Sequence, residues 1–257
     1  MGIITDMTNE EYHATAGISS SAVKSVYKKS LAHWRGEKRK QTAAFTMGTA
    51  VHSFLLEEDK PDLVVKGPKT KSSKAFKDLA DTLKPEQLLL TEVEYYTAKA
   101  ISKGALANTH MKALLRHKDR ENEVSVFVEC ENTGLMLKTR PDLMIQSQQG
   151  LYDVKTTQDA SPSGFQKECN LYGYDIQAAF YLYTCKLAKL DVEEFTFLAV
   201  EKTAPYISHI HVVGPELLDS AMSRMLATLE IISRANKDEV YDTGWGEYNI
   251  LSLPKWL

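Results

Sequence analysis

The sequence predicts a single α/β domain in which a central mixed sheet is flanked by helices and preceded by an N-terminal helical subregion. Three observations carry that expectation. Residues 135–145 and 151–155 are two apolar-rich runs joined by Gln146-Ser147-Gln148-Gln149-Gly150, a polar turn ending in glycine, which is a hairpin signal. Helical periodicity precedes the hairpin at 45–57 and over much of 72–118, and follows it at 173–183 and 215–236. At 257 residues and 43% hydrophobic content the chain can bury a sizeable core. The expected division of the one domain, 1–257, is a mainly helical part at 1–120, a sheet with its helix at 121–213, and a C-terminal helix and tail at 214–257.

Each element has a local reason. Thr8 precedes Glu11 by three residues, the spacing of a capping box, so a helical turn should start there. Ser19, Ser20 and Ser21 stand ahead of an Ala-Val-x-x-Val pattern and mark a second helix start, read first as a cap and alternatively as an anion site. In 45–57, Val51, Leu55 and Phe54 should face inward with His52 one step from that apolar face. Within 72–118, Ala75, Leu79, Leu83, Leu106, Met111, Leu114 and Leu115 are the buried candidates. Residues 123–129 alternate in a β-rich pattern that leads into the hairpin. After it, 173–183 is a helix with Gln177 and Tyr181 four apart on one face. Strands at 195–200 and 209–213 are separated by Pro205, and 215–236 is an amphipathic helix. The tail holds Trp245 and Trp256, available to pack on a neighbour.

Composition excludes some classes. No stretch approaches the ~20 apolar residues of a membrane span, and the N-terminus lacks the apolar core of a signal peptide. Cys130, Cys169 and Cys185 are odd in number and lack metal-type spacing, so reduced thiols in a cytoplasmic protein are expected. A net charge of -3 gives no global sign of nucleic-acid binding. Locally, Lys24, Lys28, Lys29, Arg35, Lys38, Arg39 and Lys40 face a single acid, Glu37, and Lys66, Lys69, Lys71, Lys74 and Lys77 form a second basic run. Such runs are ordinarily solvated faces, and here they are also compatible with a basic groove.

The chemistry concentrates in the hairpin. With its turn centred near Gln148, Asp142 lies across from Val154 or its neighbours, so Asp142 and Asp153 come close. Asp153 and Lys155 share one strand face, with Tyr152 and Val154 on the other. Pro141 has no N–H for a ladder, so the first strand is an edge or bulged there. Two converging carboxylates repel unless a cation intervenes. Lys155 offsets one charge, and oxygen ligands of this kind suit Mg²⁺ or Mn²⁺. An Asp-x-Lys alone is an ordinary surface ion pair, and the spaced Asp142 is what sets this one apart.

Taken in order, Gly17-Ile18-Ser19-Ser20-Ser21, Met47-Gly48-Thr49-Ala50-Val51-His52, Arg140-Pro141-Asp142, Asp153-Val154-Lys155-Thr156-Thr157, Gln177-x-x-x-Tyr181 and the Phe-Thr-Phe-Leu-Ala-Val run at 195–200 form a specific set. Over residues 12–200 the sequence resembles the RecE-like exonucleases, a branch of the PD-(D/E)xK nucleases related to RecB nuclease domains and phage lambda exonuclease. The resemblance implies a restriction-endonuclease-like core and a metal site of His52, Asp142, Asp153 and the Val154 carbonyl, loaded with Mg²⁺ or, in its place, Mn²⁺. It implies that Lys155 positions or activates the attacking water, and that Gln177 and Tyr181 support the site and contact DNA. Glu123 matches an upstream acid by position, and Ser21 and Arg140 match positions near a 5′-phosphate pocket. The implied activity is degradation of one strand of linear double-stranded DNA, 5′ to 3′, leaving 3′ overhangs for recombination. The implied partners are duplex DNA ends, a RecT-like single-strand annealing protein and further copies of the chain in a ring. The family's arginine shortly after the catalytic lysine has no equivalent here, Ser161, Ser163 and Lys167 occupying that region. An endonuclease on the same core and an inert DNA-binding subunit are the alternatives. Three scattered cysteines disfavour an iron–sulphur nuclease.

Overall fold

The computed structural model describes residues 2–37 and 42–250. Lys38, Arg39 and Lys40 of the first basic run, and Trp256 of the tail, lie outside the described residues. The chain opens with β1 (Gly2–Ile4), α1 (Asn9–Ala14), α2 (Ser20–Lys28), α3 (Leu31–Gly36) and α4 (Ala43–Leu56). The short strands β2 (Val64–Lys66) and β3 (Leu88–Leu90) bracket α5 (Lys74–Ala80), and α6 (Glu92–Ala107) and α7 (Thr109–Leu115) follow. Then come β4 (Arg120–Asn122), β5 (Ser125–Cys130), β6 (Leu135–Thr139), β7 (Leu143–Ile145) and β8 (Gly150–Thr157). The chain continues through α8 (Pro162–Tyr172), α9 (Tyr174–Leu187), β9 (Glu194–Glu201), β10 (Ser208–Val212) and α10 (Pro215–Asp238).

The central sheet is mixed, as expected: five strands in the order β10-β9-β8-β7-β4, with β8 and β9 parallel and the other pairs antiparallel. Strand alternation sorts β8 between two cores. Tyr152 and Val154 join Val51, Leu55, Ile101, Met111 and Leu115 under α4, α6 and α7. On the other face, Leu151 joins Phe195 and Phe197 with Ala178 and Leu182 of α9. A further core packs α2, α9 and α10 on a three-stranded sheet, β1-β5-β6, through Val23, Leu137, Phe180, Met225 and Leu229.

That second sheet is where the structure departs from the sequence pattern. Residues 135–145 are two strands, not one: β6 pairs with β5, and β7 pairs with β8 in the other sheet. The division falls at Arg140-Pro141-Asp142, where proline supplies no ladder donor. The β-rich 123–129 run divides too. Glu123 takes a left-handed backbone, φ +51°, so β5 starts only at Ser125. The two breaks face one another, the Glu123 N–H donating to the Asp142 carbonyl at 3.1 Å.

Elsewhere the local signals hold or shift slightly. Thr8 and Glu11 form the capping box. Ser19 occupies the N-cap of α2, but its side chain makes no capping hydrogen bond. The 72–118 region contains the strand β3, paired with β2, as well as helices, and Ala75 is exposed, because α5 buries no residue. The three cysteines are free and buried. Trp245 is largely exposed, its ring 5.5 Å from that of His33. Among the described residues, no helix is long and apolar enough to cross a membrane.

Helix α6 lies against the β9–β10 connection so closely that a Cβ built on Gly104 would stand 2.3 Å from the Tyr206 carbonyl oxygen. Gly→Ala inside a helix ordinarily stabilises by about 1 kcal/mol. Here the contact is backbone and cannot swing aside, so overpacking wins. Gly104→Ala should destabilise by roughly 1–3 kcal/mol, read as a lower denaturation midpoint at unchanged slope.

Candidate active site

The site grows from the end of β7. Continuing the register in which Leu143 faces Tyr152 would set Pro141 opposite Val154. Proline has no N–H to give, and the chain turns away to β6, so both peptide groups of Val154 need other partners. The Asp142 side chain supplies one, its Oδ2 accepting from the Val154 N–H at 2.7 Å. His52, on α4, supplies the other: its Nε2 lies 2.9 Å from the Val154 carbonyl oxygen, donating to it. The His52 Nδ1 then faces Asp142 Oδ2 at 3.4 Å. His52 is thus no simple core residue, for its ring ties α4 to the sheet rim beside a carboxylate.

Asp153 points to the other face of β8 and is almost fully buried. Gln177, in the first turns of α9, donates its amide to Asp153 Oδ1. Lys155 Nζ lies 2.5 Å from Asp153 Oδ2 as an ion-pair contact. That contact lacks hydrogen-bond geometry, so this buried oxygen has no hydrogen-bond donor. Lys155 also stands 4.9 Å from the centre of the Tyr174 ring. Burial pushes the Asp142 carboxyl up to about 7; the Asp153 charge adds to the rise, and His52 and Lys155 oppose it.

The remaining expected residues fall around this centre. Tyr181 lies one turn beyond Gln177 and shares a hydrogen bond with Ser20; burial, then the charges of Asp153 and its neighbours, hold its phenol well above the ordinary range. Ser20 therefore reaches inward, whereas Ser21 beside it is exposed. Glu123 is taken up by Arg140, whose Nη2 donates to its Oε2 at 2.7 Å. The pair braces the two strand breaks. Arg140 keeps Nε and Nη1 buried without hydrogen-bond partners.

Lys24 is the residue that the sequence pattern did not single out. It enters from α2, its Nζ 3.3 Å from Gln177 Oε1, so Gln177 links Lys24 to Asp153. Burial, then the charge of Lys155, pushes its ammonium down to about 8 against the pull of Asp153 and Asp175. Its position in a basic run at helical spacing carried no signal of this, because 153 residues separate it from Gln177.

Among the described residues, no three His, Cys, Asp or Glu side chains stand arranged to hold a metal ion. The expected ligands are instead closed on one another and on Lys155 and Gln177. Their chemistry nevertheless fits a hard divalent cation: Asp153 keeps an oxygen without a donor, and burial makes the Asp142 charge costly, a cost that a cation would offset. Asp142, Asp153, the Val154 carbonyl and His52 would hold it.

The raised Asp142 value makes stability pH-dependent. Its folded-state value of about 7 lies above the unfolded carboxylate value, so the native state binds this proton more tightly. The contribution is complete below about pH 4 and is lost as pH rises through about 7. Metal-free Asp142→Asn should therefore lack this downward slope and melt above wild type at pH 8. Thermal melts in chelator from pH 4 to 8 test it, and parallel curves for the two proteins would contradict it.

Residues 19–252 match the family described as a PDDEXK-like domain of unknown function (DUF3799). No curated protein matches the chain significantly. Among solved structures, the chain is similar to the "Putative exonuclease" from Eubacterium rectale, at 18% identity and a TM-score of 0.66 over 97% of this chain and 96% of that one. At 13% identity it also aligns with a phage-related exonuclease from Haemophilus somnus, with a TM-score of 0.39 over 88% and 97% of the two chains. At such identity the first likeness speaks for the fold alone. The matched span covers the five-stranded sheet and every residue of the site, and on it the chain belongs to the PDDEXK-like family DUF3799, with the restriction-endonuclease-like core its sequence led one to expect.

Proposed function

We propose that the chain is a divalent-metal-dependent nuclease that degrades one strand of linear double-stranded DNA, working 5′ to 3′. The observation that carries this reading is the meeting of Asp142, Asp153, Lys155 and His52 at the end of β7, with Asp153 Oδ2 buried and lacking a hydrogen-bond donor. Membership in the PDDEXK-like family supports it. The end-directed polarity and the preference for Mg²⁺ rest on the resemblance to RecE-like exonucleases.

A bound divalent cation would supply a Lewis acid for the scissile phosphate and a more acidic water. The chain's own groups do the rest. Asp142 and Asp153 bring the negative charge that retains the cation, and His52 and the Val154 carbonyl complete the donor set. Lys155, beside Asp153, places an ammonium where it can hold the attacking water by hydrogen bonding. Gln177 fixes the orientation of Asp153, as groups behind a metal ligand do. Tyr181, kept by burial as a neutral phenol, retains an O–H that can donate to DNA from α9. Arg140, with two unpartnered nitrogens, offers a guanidinium to a terminal phosphate.

End-labelled linear duplex and covalently closed circular duplex, incubated with Mg²⁺ or Mn²⁺, test the reading. Loss of the linear strand from its 5′ end with the circle intact is the expected result; cutting of the circle would make the protein an endonuclease. Asp142→Ala and Asp153→Ala should each abolish cleavage, and their combination should do no more, since either disables one unit. Gln177→Ala should lower turnover by about 10- to 100-fold. Wild-type turnover in either aspartate variant would remove the metal-nuclease reading.

A further inference from the structure

Resting on that nuclease reading, we propose that the α8–α9 junction carries a track for a single nucleic-acid strand leading from Asp153 to the surface. Lys24 and Lys28 contact its phosphates, and Tyr172, backed by Tyr174, stacks on its bases. The track is built on Gly173, which ends α8 and opens α9 in the left-handed conformation, φ +65°. A side chain there is excluded twice over. The backbone favours glycine, and a Cβ would lie 2.9 Å from Lys28 Cε and 3.3 Å from Lys24 Cδ. Both lysine stems therefore lie across the glycine. Lys24 Nζ reaches inward to Gln177, and Lys28 Nζ donates at 2.6 Å to the carbonyl of Asn170 in the last turn of α8.

The aromatic side runs parallel. The Tyr174 ring is 4.9 Å from Lys155 Nζ and 5.8 Å from Lys24 Nζ. Tyr172 continues outward, its ring centre 5.6 Å from that of Tyr174. Tyr172 is 51% exposed and its neighbour Leu171 65%, so the outer end of the series buries little against the protein. The acids close by are already engaged: Asp175 pairs with Arg224 at 2.7 Å, and Glu168 accepts from the Gln158 N–H. Tyr174 is fixed by packing on Phe165 and Phe197, so it anchors the inner end and Tyr172 presents the open ring. Cations beside an open π-face, continuous with a phosphodiester-cleaving centre, are the pattern by which single strands are held without sequence preference. A duplex keeps its bases stacked inside and could use the lysines but not the tyrosines.

Fluorescence anisotropy with labelled single-stranded and duplex oligonucleotides, in chelator, reads binding apart from cleavage. Tyr172→Ala should weaken single-strand binding by roughly 10-fold while leaving duplex affinity and the melting temperature unchanged. Tyr172→Phe should keep the affinity and Tyr172→Ile should lose it, because stacking needs the ring and not the hydroxyl. Lys28→Ala should weaken binding and reduce the salt dependence by about one ion. Equal single-strand affinity across the Tyr172 variants, or an equal loss on duplex, would overturn the track. Cleavage by the wild type, assayed alongside with Mg²⁺, is independent of these titrations: its absence would remove the nuclease reading even where the tyrosine effect is present.

Discussion

A single missing donor organises the site. Pro141 falls where the ladder would bring a residue opposite Val154, and its ring nitrogen carries no hydrogen. The Val154 carbonyl and N–H are left at a sheet rim, and a buried peptide group without a partner is expensive. Asp142 and His52 satisfy them. The same substitution of side chains for backbone draws a carboxylate and an imidazole to the strand that carries Asp153 and Lys155. Local backbone necessity and chemical potential therefore share one origin.

The divergence of the two sheets follows from the same place. β5 and β6 pair with each other but leave the five-stranded sheet, and the backbone must turn at Glu123 and again at Arg140-Pro141-Asp142. Glu123 accepts a left-handed backbone, and the Arg140 guanidinium bridges back to its carboxylate. That ion pair is mostly buried, and breaking one side of such a pair leaves an uncompensated charge. The brace explains why Glu123 stands with Arg140 rather than beside Asp153. It also leaves α9 free to lie against both sheets, with Gln177 and Tyr181 aimed into the seam.

Charge within the seam is distributed rather than cancelled. Asp153 faces Lys155 and the Gln177 amide, and Gln177 passes the contact on to Lys24. Asp142 has the His52 ring and one peptide N–H, and burial raises its proton affinity. The two carboxylates thus sit in different settings: Asp142 Oδ2 is tied to a peptide N–H, and Asp153 keeps one buried oxygen without a hydrogen-bond donor. The lysines that line α2 and the aromatic rings of the α8–α9 junction continue the same pattern outward.

Much of this was legible in the sequence, and the boundary is physical. Capping at Thr8 and Glu11, the helices at 45–57, 173–183 and 215–236, the hairpin about Gln148, and the nearness of Asp142 to Val154 are all encoded within about a dozen residues, by period and turn chemistry. Alternation along β8 likewise told which side chains share a face. What it did not determine was which sheet a strand joins. Residues 135–145 read as one apolar run, because hydrophobic pattern records burial and not the identity of the partner strand. Nor did it mark Lys24, whose spacing is that of any solvated helix face. Only packing of α2 against α9 carries its ammonium to Gln177, across 153 residues of chain, and contacts at that separation are decided by how whole elements fit together.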